Sequence, residues 1–147
     1  SSAYNQSDTS IESVRPDPVD LTTLGVSGTL FGIEERNTLV DAAPGEKFSL
    51  TGDWRGDRLS LLGRLTWYGE TRRVFNFGGG FEPEQTYGSE TQLDLEAGYR
   101  VNDRITVSVG GANVLDNYAD RSNGDIFTGG VFPYDVISPI GFNGAYY

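Results

Sequence analysis

The amino-acid sequence predicts an all-β protein of antiparallel, up-and-down strands. Apolar and polar residues alternate with a period of two in four stretches, and no stretch repeats apolar residues at helical spacing over several turns. The 20 glycines and an aromatic content of 12% are typical of short strands that are joined by many turns.

The four alternating stretches are the predicted strands. Their bounds are 46–55, 59–69, 91–101 and 105–115. In the first of them, Phe48, Leu50 and Trp54 share one face, and polar residues share the other. Because the same division recurs in the other three, we expect a sheet with one apolar and one polar face.

The connections between the strands alternate in length. Two are short turns, at Gly56-Asp57 and Asn102-Asp103, and three are long loops, at 8–44, 70–89 and 116–144. In outer-membrane barrels, short turns lie on the periplasmic side and long loops face outside. The sequence therefore predicts part of a transmembrane β-barrel with long extracellular loops.

Three weaker strand signals lie outside these stretches. Residues 1–7 are expected to end a strand, residues 26–33 to form a short hairpin inside the first long loop, and Tyr146-Tyr147 to begin a further strand. Aromatic residues are expected at both membrane interfaces, with Trp54 and Tyr99 near the short turns. Trp67, Tyr68 and Tyr118 lie near the long loops.

Charged residues in the middle of the strands share the polar face. The residues expected to face the barrel lumen are Lys47, Asp53, Arg64, Asp94, Glu96 and Arg100. A wet or plugged lumen accommodates such a face at little desolvation cost. Alternation alone fits a soluble antiparallel sheet equally well, and the loop lengths and aromatic positions favour the membrane.

Composition excludes several functions. Cysteine and histidine are both absent, so thiol and histidine nucleophiles, a histidine base and the usual zinc or haem ligand sets are excluded. The net charge of -10 argues against nucleic acid as a partner. The pair Asp94 and Glu96 is explained by a polar lumen without catalysis, so we expect neither an enzyme nor a cofactor.

An acidic cluster in the last long loop is not a calcium motif. Its members are Asp116, Asp120, Asn123 and Asp125. Their spacing fails the EF-hand pattern, which needs a glycine at position six and a glutamate at position twelve. We therefore interpret the cluster as a solvated acidic loop and predict no metal site.

Residues 105–118, ITVSVGGANVLDNY, resemble the penultimate-strand motif of TonB-dependent outer-membrane receptors. In that family an alternating strand runs into Asn-Leu-Phe-Asp and then an aromatic residue. The structural motif residues here are Asn113, Leu115, Asp116 and Tyr118, with Val114 between the first two. Further matches follow the family's order at Phe31, 34–36, 44–50, 68–70, 93–99, Ser138-Pro139 and 141–147.

The resemblance implies energy-coupled import of a scarce nutrient, such as a siderophore, a cobalamin or an oligosaccharide, across the outer membrane. The implied partners are the remainder of the receptor barrel and its plug, the TonB complex through the plug region, and outer-membrane lipid. The plug, the TonB box, the last strand and most barrel strands are not in this sequence. The chain is therefore expected to be the C-terminal part of a larger receptor, or a polypeptide that completes its barrel with a partner chain.

The candidate ligand-binding residues open the second long loop. They are Arg72, Arg73, Phe75, Asn76 and Phe77. Such a cationic and aromatic cluster suits an anionic chelate or a sugar, and contact with the acidic sugars of the outer leaflet explains it equally well. The alternative to transport is a β-sheet surface protein that binds a ligand or partner through its loops, or that assembles into fibrils through exposed strands.

Overall fold

The computed structural model describes residues 1–25, 31–126 and 133–147. Its strands are β1 (Ser2–Gln6), β2 (Glu46–Arg55), β3 (Leu59–Tyr68), β4 (Thr71–Val74), β5 (Glu84–Tyr87), β6 (Glu90–Asn102) and β7 (Ile105–Gly111), and its helices are α1 (Val19–Thr23) and α2 (Ile33–Val40). Five strands form one antiparallel sheet in the order β1-β2-β3-β6-β7, and β4 pairs with β5 in a separate hairpin. The predicted all-β architecture is confirmed.

The strand register keeps apolar residues beside one another across the five-stranded sheet. Leu50 lies opposite Leu65, which lies opposite Leu93. Four residues further along β2, Trp54 pairs with Leu61. Because side chains alternate between the two faces of a strand, this register builds one continuous apolar face and one polar face.

The strand bounds follow the alternation closely, except at the end of β7. The stretch 46–55 is β2, while β3 ends one residue earlier than predicted and β6 extends one residue further at each end. The stretch 105–115 was predicted as strand throughout, but β7 ends at Gly111. The reason is Asn113, whose φ of 51 lies in the left-handed region that no strand residue adopts.

Two of the long intervals contain regular structure, which corrects the prediction of loops at 8–44 and 70–89. The first contains α1 and α2, and the second contains the β4–β5 hairpin. Apolar periodicity does not indicate α2, because the residue that this helix buries is Asn37, which is polar. Of the predicted hairpin at 26–33, residues 26–30 lie outside the described residues, and Ile33 begins α2 instead.

The terminal residues form strand contacts. Residues 2–6 form β1 beside β2, as the sequence predicts for 1–7. At the other end Tyr146 forms an antiparallel bridge with Ala112, through N–H to oxygen hydrogen bonds of 2.8 and 3.0 Å. The sheet is thereby extended beyond β7 by a single residue pair.

The buried side chains lie in the connections rather than in the sheet. We use the name loop cap for residues 33–45, 70–89, 112–126 and 133–145. The loop cap contains the buried residues Asn37, Ala42, Thr71, Arg73, Val74, Tyr87, Asn113, Ala119, Ile126, Asp135 and Ile140. Within the described part of the five-stranded sheet, the buried side chain is Thr66. Neither described helix has the length and hydropathy to cross a lipid bilayer.

Candidate functional site in the loop cap

The β4–β5 hairpin places aromatic rings at its tip. Phe75 N–H donates to the Pro83 carbonyl at 3.0 Å, and Phe77 N–H donates to the Phe81 carbonyl at 3.1 Å. The chain reverses through the glycines 78–80, whose φ values of 79, 64 and 81 all lie in the left-handed region. An ideal Cβ at these glycines would meet open space, so the backbone conformation and not crowding requires glycine.

The rings at the tip form a row. The centroids of Phe75 and Phe77 are 6.0 Å apart with the planes 18° from parallel, and those of Phe77 and Phe81 are 6.0 Å apart. Phe77 is 44% exposed and Phe81 is 49% exposed. The outer end of the row is therefore open to contact with another molecule.

Arg72 and Arg73 are adjacent in sequence but lie in different environments. Arg72 is exposed and forms a salt bridge with Glu84 on the paired strand. The neighbouring Glu84 carboxylate, which accepts a hydrogen bond from the guanidinium, raises the pKa of Arg72 above its ordinary value. Strand alternation turns Arg73 to the opposite side, where it is buried. The exposed cation of the predicted pair is therefore Arg72, and its charge is balanced by Glu84.

Arg73 joins three segments inside the loop cap. Its Nε lies 3.3 Å from Asp135 Oδ2, and its Nη1 donates to Thr38 Oγ1 at 3.1 Å. The guanidinium carbon lies 5.1 Å from the centroid of the Phe75 ring. The Nε–H is not aligned on the carboxylate and has no hydrogen-bond acceptor, so the attraction between Arg73 and Asp135 is that of an ion pair. Arg73 therefore holds the hairpin against α2 and the segment that contains Asp135.

The helix α2 fixes the base of the hairpin through polar contacts. Asn37 Oδ1 accepts a hydrogen bond from Val74 N–H at 2.8 Å, and Glu34 Oε2 accepts one from Asn76 N–H at 3.1 Å. Asn76 Oδ1 in turn accepts from Gly78 N–H at 2.9 Å. The amide of Asn76 therefore stabilises the turn itself.

The five predicted ligand-binding residues are close in space but have different environments. Phe77 is exposed, Phe75 is partly covered by Arg73, and the side chain of Asn76 contacts the backbone of its own turn. The sequence search missed Phe81, which completes the aromatic row. A signal for it was present, because the three glycines between Phe77 and Phe81 bring the two rings together across a turn.

The motif residue Asn113 fixes the exit of β7. Its Nδ2 donates to the Asn117 carbonyl at 2.7 Å, and its Oδ1 accepts from Asn117 N–H at 3.2 Å. Its own N–H donates to Asp94 Oδ1 at 3.0 Å, and Asn117 Nδ2 donates to the Thr91 carbonyl at 2.8 Å. Asn113 is 2% exposed and its roles in this structure are hydrogen bonds within the chain.

The other motif residues join the exit of β7 to the C-terminal segment. Asp116 also has a left-handed φ, of 55, and its Oδ1 accepts from Ala145 N–H at 2.8 Å. Tyr118 stacks on Tyr134 with the centroids 6.0 Å apart, and the charge of Asp116 raises the pKa of its phenol. Leu115 is half exposed.

The charged residues expected to face a lumen share the polar face of the sheet. Arg64 lies opposite Asp94, and Asp53 lies in the same cross-strand row as Glu96. The ammonium of Lys47 lies 4.9 Å from the centroid of the Tyr68 ring on the neighbouring strand. Arg100 donates a hydrogen bond to the carbonyl of Asp57 in the short turn. The charges are thus distributed over the whole face and do not converge on one point.

The apolar face contains a groove of about 630 Å³. Two glycines, Gly52 and Gly63, lie opposite each other at its centre. Trp54, Leu61 and Leu95 form its sides. The groove forms because the strand register places these two residues, which have no side chains, opposite each other.

Charge is distributed unevenly along the strands. In the strand middles and short turns, Asp53, Asp57, Asp94, Glu96 and Asp103 are matched in number by Arg55, Arg58, Arg64, Arg100 and Arg104. The net charge of -10 is therefore confined to the rest of the chain, which contains the long connections. Among the described residues, no group of three or more acidic side chains has a geometry that holds a metal ion.

No protein-family model, no curated protein and no solved structure matches this chain. The function is therefore inferred from the arrangement of the chain's own residues. Two features stand out, an exposed apolar sheet face and a loop cap with aromatic residues at the tip of its hairpin.

Proposed function

We propose that this chain forms strands and outer loops of a TonB-dependent receptor, a β-barrel that imports a scarce nutrient such as a siderophore, a cobalamin or an oligosaccharide. The observation that carries the proposal is the exposed apolar face of the five-stranded sheet. In this role the sheet is part of the barrel, its apolar face contacts lipid, and the loop cap lies on the outer side.

The apolar face is suited to lipid because its side chains are large, contiguous and uncovered. Leu50, Leu61, Leu95 and Val107 are each between 45% and 59% exposed, and Val109 is 73% exposed. In water, a large apolar side chain that is fully exposed forgoes about 1.5–3 kcal/mol of burial energy, and a half-exposed side chain forgoes part of that energy. Acyl chains supply that burial without a protein core on this side of the sheet.

The distribution of polar groups supports the same orientation. Charged side chains lie on the opposite face, where a lumen keeps them hydrated, and the long connections lie beyond one end of the strands. The ends next to the short turns are electrically balanced, while the part with the long connections is acidic.

A second candidate function is ligand or partner binding at a surface without transport. The folded core of the loop cap favours it, because Tyr87, Val74 and Ile140 bury their side chains without help from the sheet's apolar face. In that case a protein surface and not lipid would cover the sheet.

A matched pair of arginine substitutions on β7 separates the two candidates. Val109 lies on the apolar face, and its neighbour Ser108 lies on the polar face. In phospholipid vesicles we expect Val109→Arg to lower the free energy of unfolding by about 1–4 kcal/mol, the cost of a lipid-facing cation between the interface and the bilayer midplane. Ser108→Arg is the control and is expected to cost less than about 1 kcal/mol.

Tryptophan fluorescence gives an independent readout. Trp54 and Trp67, the two tryptophans of the chain, both lie on the apolar face of the sheet. Lipids brominated on their acyl chains are expected to quench both tryptophans in reconstituted protein. Two results together would overturn the proposal. The first is tryptophan emission that is quenched by aqueous acrylamide and not by these lipids, and the second is an equal effect of Val109→Arg and Ser108→Arg on stability.

A further inference from the structure

The hairpin tip presents ring faces that attract cations. Phe77 and Phe81 are half exposed at the outer end of the aromatic row. An aromatic ring has a negative face, and a cation within about 6 Å of the ring centre is attracted to it.

The protein's own side chains already show this interaction at the inner end of the row. The guanidinium of Arg73 lies 5.1 Å from the Phe75 centroid, on the buried side of the hairpin. No described cation lies within reach of Phe77 or Phe81. The outer rings therefore repeat the chemistry of Phe75 but have no cation of their own.

Two carboxylates adjoin the tip. Glu34 is held there by its hydrogen bond from Asn76 N–H, and Glu82 directly follows Phe81. Neither of these two forms a salt bridge with a described residue. Of the nearby cations, Arg72 and Arg73 are paired with Glu84 and Asp135. Arg36 on α2 forms no salt bridge with a described residue, and its guanidinium lies 5.8 Å from the centroid of the Phe31 ring. Glu34 and Glu82, the carboxylates next to the exposed rings, are therefore not balanced by Arg72 or Arg73.

We propose that the tip of the β4–β5 hairpin binds a cationic ligand that has an apolar or aromatic body. The tip is formed by Phe77, Phe81, Glu34 and Glu82, and it disfavours anionic chelates. The inference rests on the proposed function only in placing the tip among the ligand-contacting outer loops. It reverses the ligand charge that Arg72 and Arg73 suggest in the sequence, because both of these cations are neutralised within the fold.

Three probes of the same shape and different charge test the ligand class. Benzyltrimethylammonium is the cation, neopentylbenzene is its neutral counterpart, and phenylmethanesulfonate is the anion. Binding to the reconstituted protein is measured by nuclear magnetic resonance of the probe. We expect the cation to bind at least about 5-fold more tightly than the neutral probe and the anion to bind most weakly, as expected for an exposed cation–π contact next to carboxylates.

Substitutions locate the site. Phe81→Leu and Phe77→Leu keep an apolar side chain without the ring, and each is expected to weaken cation binding about 2- to 5-fold. Phe48→Leu on the five-stranded sheet is the matched control and is expected to leave affinity unchanged. Glu82→Gln is expected to weaken binding of the cation and to reduce its dependence on salt, with no effect on the neutral probe.

Several outcomes would overturn this inference: equal binding of cation and neutral probe, preference for the anion, or unchanged affinity in Phe81→Leu. Binding of a neutral maltooligosaccharide with the same sensitivity to Phe81→Leu, and no binding of the cation, would assign the tip to sugars instead. The lipid quenching of Trp54 and Trp67 is read separately, so failure of this inference and failure of the proposed receptor role are distinguishable.

Discussion

The loop cap and the five-stranded sheet are stabilised in opposite ways. In the loop cap, Tyr87 is 2% exposed and Val74 is 5% exposed, so these connections contain a core of their own. In the sheet, Leu95 is 46% exposed and Val109 is 73% exposed, although both lie on the apolar face. The loop cap therefore depends on packing inside the chain, whereas the apolar face of the sheet depends on cover that comes from elsewhere.

This difference shows that the loop cap, although it consists of connections between strands, is not the least stable part of the molecule. Local stability follows buried contacts and satisfied polar groups rather than the presence of long strands. The sheet has antiparallel ladders of backbone hydrogen bonds, but hydrogen bonds alone contribute about 0.5–1.5 kcal/mol each after exchange with water. Without cover on its apolar face, the sheet lacks the hydrophobic contribution that dominates folding.

The largest effect is expected from emptying the core of the loop cap. Tyr87→Ala removes the largest fully buried side chain among the described residues and is expected to cost about 3–5 kcal/mol. Leu61→Ala on the exposed apolar face is the control and is expected to cost less than about 1.5 kcal/mol. Urea unfolding in vesicles gives both values, and hydrogen exchange at Val74 reports the loop cap by itself.

If Leu61→Ala costs as much as Tyr87→Ala, the contrast between the two regions is wrong. In that case the apolar face would be packed against protein in the natural assembly. Rapid hydrogen exchange at Val74 in the unmodified chain would also contradict a stable loop cap, because Val74 N–H is bonded to the buried Asn37.

The next largest effect is expected at the buried ion pair. Asp135→Asn leaves the Arg73 cation buried without a counter-charge and is expected to cost about 3 kcal/mol. The double variant Arg73→Met with Asp135→Leu removes both charges and is expected to be more stable than the single variant. A double-mutant cycle from urea unfolding measures the coupling, and a coupling near zero would show that the pair does not hold the loop cap together.

The sheet was predictable from the sequence and the loop cap was not. Strands such as β2 follow a strict alternation of apolar and polar residues, which strand geometry converts directly into two faces. In the loop cap, the buried positions include Asn37, Arg73 and Asp135, which are polar or charged. A binary pattern assigns such residues to the surface, because the partners that satisfy them are distant in sequence.

The candidate site shows the same limit. Phe75 and Phe77 were named as candidates because they lie beside Arg72 and Arg73 in the sequence, whereas Phe81, which continues the row of rings, was not. The pairing of its two arginines could not be predicted, because the ion pairs of Arg72 and Arg73 depend on Glu84 and Asp135. Asp135 is more than sixty residues away in the sequence, and no local pattern indicates that contact.

A smaller effect is expected where the sheet meets the loop cap. Asn113→Gly keeps the left-handed backbone and loses the side-chain hydrogen bonds to Asn117, for an expected cost of about 1–2 kcal/mol. Asn113→Ala loses the same bonds and also strains the backbone, so it is expected to cost about 1 kcal/mol more. Equal stabilities of the two variants in urea unfolding would show that the conformation of Asn113 is not required.

The smallest effect is a dependence of the loop cap on alkaline pH. Burial of the Tyr87 phenol raises its pKa above its ordinary value of 10.0, despite the hydrogen bond with Ser122, because the charged phenolate is disfavoured inside the loop cap. The folded state therefore holds this proton more tightly than the unfolded state does. The stability that depends on the proton is fully present below pH 10 and is lost as the pH rises through the raised value.

Tyr87→Phe removes that titration. Below pH 10 the variant is expected to be less stable by about 1 kcal/mol, because Ser122 loses its partner. Above pH 10 the deficit is expected to shrink, since the unmodified chain then loses stability that the variant never had. Tyr147→Phe, at an exposed position, is the control for loss of a hydroxyl group, and below pH 10 it is expected to change stability by less than about 0.5 kcal/mol. A deficit for Tyr87→Phe that stays constant with pH would show that the phenol is hydrated, and that the loop cap is more open than its contacts indicate.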